Sequence, residues 1–333
     1  MGGTNMPLIE VKNINKEYKI SKRTKGFMGT IANTFIPKYE IKRAVQNISF
    51  TIEKGEMVGF IGPNGAGKST TVKMLSGILH PTSGSMTVDG LVPYKNRKEY
   101  VRRIGVVFGQ KSQLWWDLPV IDSYEMFKYI YKIPEKVFKK NLDMVNEILN
   151  IHEFIDQPVR QLSLGQRVKA DIGASLLHEP EILFLDEPTI GLDVVAKENI
   201  RNFLNRINKE TKITMLFTTH DMQDIEKTCE RMVIIDKGTK VYDGQVNEIK
   251  NKYGRERQLQ VEFAQQYKDI VIPKVAIVHE DLNTMRFNFD KEQIKVQQLI
   301  AQLTQNYDIK DLTIKEPEIE SIIREIYEGG IVL

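Results

Sequence analysis

The chain has 333 residues, 41% of them hydrophobic, which is enough for ordinary buried cores and for roughly two domains of about 100–200 residues each. A formal net charge of +3 and a pI near 8.6 are too mild to mark a nucleic-acid-binding surface, and no apolar run reaches the roughly 18–20 residues that span a bilayer. The single cysteine, Cys229, excludes an internal disulfide and fits a reducing compartment, and the five histidines show no spacing with cysteine that would suit structural zinc.

Residues 8–14 (LIEVKNI) alternate as a strand does and lead to Tyr18; residues 46–53 (QNISFTIE) alternate again. Between them, 19–43 is basic and loosely amphipathic, with Phe27, Met28, Ile31, Phe35 and Ile36 set among Lys and Arg. It reads either as a solvated insertion or as a surface helix meeting lipid or a membrane partner. A strand-like run, EMVGFI (56–61), then leads into GPNGAGKST (62–70) and a helical pattern, TVKMLSGIL (71–79). Strand, glycine-rich loop, Lys-Ser and helix in that order form the context of a phosphate-binding P-loop. Gly62, Gly65 and Gly67, with Pro63, Asn64 and Ala66 between them, let backbone N–H groups turn inward on one anion; a side chain at the glycines would often forbid the required φ or crowd the phosphate. The following helix, entered through Ser69 and Thr70, adds the positive end of its dipole. Lys68 can reach the β- and γ-phosphates of a nucleotide, and the Ser69 hydroxyl can ligate Mg²⁺.

The run IGVVFGQ (104–110) is strand-like and ends at Gln110, and 120–160 and 165–178 carry helical spacing. Apolar runs at 181–187, 213–220 and 231–238 read as buried parallel strands, separated by helices at 194–209 and 221–229. Cys229, in the last of these helical patterns, reads as a small buried apolar residue. The strand ILFLDE (182–187) ends in two carboxylates, which is costly unless they meet a cation or water. Asp186 is placed to hold the Mg²⁺ shell and Glu187 to polarise an attacking water. Beyond a polar, linker-like stretch at 251–258 come strand candidates at 258–264, 274–280 and 284–290, a helix at 291–305, a strand at 311–316 and a helix at 316–328.

The sequence LSLGQ (162–166) resembles the signature of ABC ATPases, usually LSGGQ, with Leu164 replacing the first glycine and Gly165 retained. Gln110 stands where that family has its Q-loop glutamine, IGLD (190–193) resembles its D-loop, and His220 ends the following strand as the family's switch histidine does. Tyr18 matches the aromatic that stacks on adenine, with Tyr39 as a substitute because the 19–43 insertion intervenes. The resemblance spans about 8–245 with the motifs in family order. It implies ATP and Mg²⁺ as cofactors, with Ser69, Gln110 and Asp186 about the metal, and Glu187, His220, Gln110 and Lys68 in catalysis. It also implies a head-to-tail pair of copies in which the P-loop of one faces Ser163, Gly165 and Gln166 of the other. Asp193 would order that contact, and His220 would hydrogen-bond the γ-phosphate.

The expected fold is α/β: an ABC-type ATPase domain over 6–250 with a parallel core sheet, an antiparallel β portion and a helical subdomain at about 111–165, followed by a small α+β domain over 251–333. The expected task is to power an ABC transporter, by resemblance an exporter of the type-two, viologen-exporter-like subgroup. FGQKSQLWWDLP, LSLGQR and the tail IKEPEIESIIREIYE carry that likeness. Its partners would be a second copy and separate polytopic permease subunits, by resemblance two different six-helix proteins, holding it at the cytoplasmic face of the membrane; no nucleic acid is expected. Trp115 and Trp116, just after Gln110, are either anchors for a permease or local core. The alternatives are a soluble ABC ATPase acting on ribosomes or nucleic acid, and a non-catalytic nucleotide-binding scaffold. The tail sequence does not choose between regulating, dimerising and capping.

Overall fold

A computed structural model describes residues 7–21, 39–109, 111–253, 256–267, 270–315 and 319–327. The interior of the 19–43 insertion, including Phe27, Met28, Ile31, Phe35 and Ile36, lies outside these residues, as does Gln110. The chain divides into two compact units, 1–243 and 244–333.

The first unit is built on a six-stranded sheet. In chain order its strands are β3 (Met57–Ile61), β5 (Ile104–Phe108), β6 (Ile182–Asp186), β7 (Thr214–Thr219), β8 (Arg231–Asp236) and β9 (Thr239–Gln245), which runs into the unit boundary. In space they lie in the order β5-β6-β7-β3-β8-β9. The pairs β5–β6, β6–β7, β7–β3 and β3–β8 are parallel, and β3, β6 and β7 are buried at every residue. Continuous apolar runs are what strands covered on both faces require. The register decides where the chemistry falls: Ile61 pairs with Thr219, and Asp186 pairs with both Phe108 and Thr218. The carboxyl ends of four strands therefore meet on one edge, where open α/β sheets bind ligands.

A second, three-stranded antiparallel sheet comprises β1 (Ile9–Ser21), β2 (Tyr39–Ile52) and β4 (Ser83–Val88), in the order β2-β1-β4. Its apolar face, with Ile9, Ile14, Ile48 and Phe50, shares one core with Phe60 and Phe184 of the parallel sheet; the Phe50 and Phe60 rings are 5.5 Å apart. Helix α1 (Lys68–Leu75) adds Val72, Met74 and Leu75 to that core, and the one-turn α2 (Arg97–Tyr100) adds Tyr100. Residues 19–21 and 39–43, the ends of the predicted insertion, are paired strand, with Ile20 opposite Glu40 and Ser21 opposite Tyr39.

The expected helical subdomain consists of α3 (Val120–Tyr131), α4 (Glu135–Leu149) and short 3₁₀ turns at Ile151–Glu153 and Val159–Gln161, followed by α5 (Leu164–Leu176). Two left-handed residues, Lys132 and Asn150, end α3 and α4, splitting the predicted 120–160 helical stretch. Within α5 sits Asp171, almost buried. Its Oδ1 accepts the Gln113 N–H at 2.9 Å and the Ser112 hydroxyl at 3.0 Å, while Gln113 Nε2 donates to the Asp171 carbonyl. Tyr124 of α3, fully buried, donates its hydroxyl to the Ala170 carbonyl at 2.8 Å, and a Cβ at Gly173 would come within 2.4 Å of that hydroxyl. The segment after Gln110 and the helix after the signature are thus tied together at two points. Helices α6 (Val194–Thr211) and α7 (Met222–Thr228) complete the unit, with Cys229 buried at the end of α7 and its thiol pushed up to about 12 by that burial.

The second unit begins earlier than the expected break after 250, because α8 (Val246–Tyr253) packs with α10 (Ile319–Tyr327) inside it. Of the stretch expected as a linker at 251–258, residues 251–253 end α8 and residues 256–258 begin a strand. Strands β10 (Glu256–Phe263), β11 (Val275–His279), β12 (Thr284–Asp290) and β13 (Ile309–Lys315) form an antiparallel sheet in the order β11-β12-β10-β13. Strict alternation puts Leu259, Val261, Phe263, Met285, Phe287 and Phe289 on one face, closed by Leu299 and Leu303 of α9 (Val296–Asn306).

Burial pushes the Asp171 carboxyl up to about 6 from 3.8, against the opposing hydrogen bonds from Gln113 and Ser112 and the attraction of Arg167. The folded chain then keeps, between about pH 4 and 6, a proton that the unfolded chain has released, so this group's contribution to stability falls as pH rises through that window. Relative to Asp171→Asn, the wild type should lose on the order of 3 kcal/mol between pH 4 and pH 7. Urea titrations of both proteins at the two pH values check this, and a pH-independent difference refutes it.

Candidate functional site

The P-loop leaves the fully buried β3 and re-enters α1 through three glycines with different physical reasons. Gly67 has φ 108° and a Cβ there would lie 2.6 Å from the Ala44 carbonyl, whereas Gly65, at φ 83°, has open space around it. Gly62 has no left-handed backbone; its Cβ would strike the Ile235 carbonyl of β8 at 2.4 Å. Crowding by the neighbouring strand, rather than by phosphate, is what requires glycine at 62. Gly67 is also the residue before α1 and offers no side chain to cap it, so the first-turn N–H groups face the loop. Pro63, Asn64 and Gly65 are exposed, Ala66 is buried, and Ser69 and Thr70 are half-buried.

Lys68 is buried, its Nζ donating to the Gly62 carbonyl at 2.7 Å and lying 3.3 Å from Glu187 Oε1. His220 Nδ1 stands 3.7 Å from the same carboxylate oxygen, with the ring about half exposed. One rung away, Asp186 Oδ1 accepts the Ser69 hydroxyl at 3.1 Å and the Thr218 hydroxyl at 2.7 Å. Glu187 follows in a left-handed conformation, φ 52°, which a non-glycine residue holds only when its surroundings over-determine it. Those surroundings are visible: its N–H donates to both the carbonyl and the hydroxyl of Thr218, each at 3.0 Å. On the other side the Gly109 N–H donates to the Asp186 carbonyl at 2.9 Å, and a Cβ at Gly109 would lie 1.9 Å from the Glu187 carbonyl oxygen.

An open cleft of about 660 Å³ lies along Gly65, Lys68 and Ser69, and Tyr18, Lys42 and Ala44 form its other wall. Tyr18 lines it with the Lys16 ammonium 5.4 Å from its ring centre, whereas Tyr39, at the open end of the β1–β2 pair, is exposed and does not border it. A smaller cleft of about 330 Å³ reaches Ser69, Asp186 and Glu187 from the side of Lys73, Gly109 and Lys111.

Ser163, Gly165, Gln166 and Asp193 border neither cleft. Ser163 caps α5: its hydroxyl accepts the Gln166 N–H at 3.2 Å while Gln166 Oε1 accepts the Ser163 N–H at 2.9 Å, a reciprocal capping box. Asp193 caps α6 through the Ala196 N–H at 2.8 Å. The two helix starts touch: Leu164 Cδ2 would be 3.1 Å from a Cβ at Gly191, and a Cβ at Gly165 would be 3.3 Å from that of Ala196. Leu164, in place of the usual glycine, therefore seats the signature on the D-loop-like segment. Within one chain, then, the structure gathers Lys68, Ser69, Asp186, Glu187 and His220 and leaves the signature elsewhere.

The ABC transporter family profile matches residues 45–190. The ABC transporter ATP-binding protein NatA of Bacillus subtilis is 33% identical over 215 residues, covering 65% of this chain and 87% of NatA. The linearmycin resistance ATP-binding protein LnrL of the same organism is 30% identical over 292 residues, 85% of this chain and 93% of LnrL. The chain belongs to the ABC transporter ATP-binding family. It is the ATP-binding and ATP-hydrolysing subunit of an ABC transporter, as the sequence led one to expect. A solved dimeric ATP-binding cassette, in a post-hydrolysis state with ADP and phosphate, shares 25% identity and aligns with a TM-score of 0.59 over 72% of this chain and 98% of that one.

Sequence reasoning missed Thr218 and Gly109. A pair of threonines closing a fully buried strand was the available sign of the first; nothing short of the fold signals the second. Thr218→Val keeps the shape of the side chain but leaves the Glu187 N–H with one acceptor and Asp186 with one donor fewer. It should cost about 1–3 kcal/mol of stability without nucleotide, measurable by urea unfolding.

Proposed function

We propose that two copies of this ATPase close head to tail on two ATP molecules and so drive export through separate polytopic permease subunits, which hold the assembly at the inner face of the cell membrane. The observation that carries the reading is the division just described: one chain gathers the P-loop, Asp186, Glu187 and His220, while the residues of its capped signature helix border neither cleft. A second copy supplies what is missing, with Ser163 and the Gly165 N–H presenting the start of α5 to the γ-phosphate. The similarity to a dimeric cassette supports the same arrangement.

In this reading the P-loop residues 62–70 cradle the phosphates, Lys68 leaves the Gly62 carbonyl for the β- and γ-oxygens, and Tyr18 stacks on the adenine. Glu187 orients the attacking water, Gln110 and His220 flank the γ-phosphate, and Asp193 orders the contact between copies. The Lys68–Glu187 ion pair gives way when phosphate enters, freeing the carboxylate for water. Hydroxyl and carboxylate oxygens 3.1 Å apart on Ser69 and Asp186 suit a hard divalent cation, so these two would hold Mg²⁺, with Gln110 joining them. When bound, it would neutralise charge on the phosphates during in-line transfer.

For the permease contact, Trp115 and Trp116 separate. Trp115 packs its ring 5.4 Å from Phe127 and donates its backbone N–H to Ser123, so it serves the local core. Trp116 is about half exposed, with the Arg167 guanidinium 5.6 Å from its ring centre, and Leu118, Met126, Tyr129 and Ile130 of the same subdomain are exposed as well. Trp116 is the anchor. Export, and the viologen-exporter-like subgroup, rest on the sequence resemblance and fit a relative named for linearmycin resistance.

Glu187→Gln should bind ATP, form a stable dimer on size exclusion and lose turnover by on the order of 10²-fold or more; robust hydrolysis would remove Glu187 from its role. Trp116→Ala should lose polytopic proteins in a detergent pull-down while retaining ATP binding. Undiminished recovery would place the docking surface elsewhere.

A further inference from the structure

Outside the nucleotide site, the described residues hold one cluster of charged side chains buried to near-complete exclusion of water. Asp224 of α7 is fully buried and Arg201 of α6 nearly so. Arg201 donates to Asp224 Oδ1 from Nε at 2.6 Å and from Nη2. The other oxygen, Oδ2, accepts two hydroxyls: that of Thr189 at 2.5 Å and that of Thr219 at 3.0 Å. Around them, Asp221 pairs with Lys197 and lies 3.7 Å from Arg201, and Glu198 lies 3.4 Å from Arg201. Burial works to raise the Asp221 carboxyl, but its bond to Lys197 and the attraction of both cations hold it below the usual range.

A buried ion pair is a poor way to stabilise a fold, since a well-packed apolar pair of the same volume often does better. What this one supplies is connectivity. Thr189 stands two residues after Glu187, at the start of the segment that ends in Asp193, the cap of the helix bearing Arg201. Thr219 immediately precedes His220, and its hydroxyl also accepts the Asp221 N–H at 3.0 Å. A single carboxylate oxygen, Oδ2, therefore joins the chain leaving Glu187 to the chain entering His220, and Arg201 holds the carboxylate in place through its other oxygen, Oδ1.

We propose that Asp224 is a positioning residue for ATP hydrolysis. Gripped by Arg201, it sets the separation between Glu187 and His220 and, through Thr189, the placement of the segment leading to Asp193. The inference rests on the roles proposed above for Glu187 and His220. It predicts that the cluster acts on turnover and not on nucleotide affinity, because none of its members borders the clefts along the P-loop.

The test severs each arm without touching the buried ion pair. Thr189→Val and Thr219→Val, with Thr→Ser at each position as the conservative partner, are compared in the full-length chain for kcat, KM for ATP, binding of a fluorescent ATP analogue and Tm; Glu187→Gln runs alongside. Each valine variant should lose about 10–10²-fold in kcat, the scale of a small misplacement of reacting groups. KM and analogue affinity should stay within about twofold, and each serine variant should recover most of the rate. The double valine variant should fall no further than Asp224→Asn, because both arms act through one oxygen. Unchanged kcat in the valine variants, or a loss that tracks Tm and that serine does not recover, overturns the proposal while leaving the roles of Glu187 and His220 intact. Turnover retained by Glu187→Gln instead overturns the reading beneath it.

Discussion

A carboxylate at the end of a dry strand governs this site. Asp186 closes a strand buried at every residue, and an ionised group so placed must be surrounded by donors or it costs the fold several kcal/mol. Its donors come from two other elements, Ser69 at the start of α1 and Thr218 near the end of β7. Meeting that electrostatic demand fixes the P-loop helix, the second carboxylate strand and the strand leading to His220 against one another. The left-handed turn at Glu187 follows from it: Thr218 binds Asp186 with its hydroxyl hydrogen and holds the Glu187 N–H with the same oxygen. Gly109 completes the arrangement by letting β5 lie against the Glu187 carbonyl where any side chain would collide.

The same logic of satisfied polar groups recurs away from the nucleotide. Asp171 is a second carboxylate taken out of water, and the groups that satisfy it belong to the segment that follows Gln110. Its neighbour on α5, the Ala170 carbonyl, is bound by the buried Tyr124 of α3. The helical subdomain is therefore fastened to the signature helix through polar groups with fixed directions, whereas apolar packing alone would allow it to slide.

Much of this was legible in the sequence. Continuous apolar runs named the buried parallel strands, and alternation named those of the second unit, because burial on two faces and on one leaves different periods. The P-loop, Asp186 and Glu187 were legible because phosphate binding and a charged end on an apolar strand impose unusual residues at fixed spacing. What escaped were contacts whose partners are distant in the chain. The reason for Gly62 is the Ile235 carbonyl, and that for Gly109 is the Glu187 carbonyl; neither can be read from a glycine's own neighbours. The linker reading of 251–258 missed the regular structure at 251–253 and 256–258 because polar composition alone does not tell a helix end and a strand start from a tether. The two tryptophans could not be told apart, since only the position of Phe127 shows that one ring is internal.

Trp116 lies against Arg167, and Arg167 stands on the first turn of the helix that Ser163 caps. In the assembly proposed above, an aromatic offered to a partner is thus in direct contact with the helix whose start would meet the nucleotide of the opposite copy. Thermodynamic reciprocity then applies: whatever factor a bound partner contributes to closure around ATP, closure must return as the same factor in affinity for that partner. On the proposed reading, grip on the membrane subunits is for this reason a variable of the cycle, strengthened or released in step with the phosphate, and not a constant of the assembly.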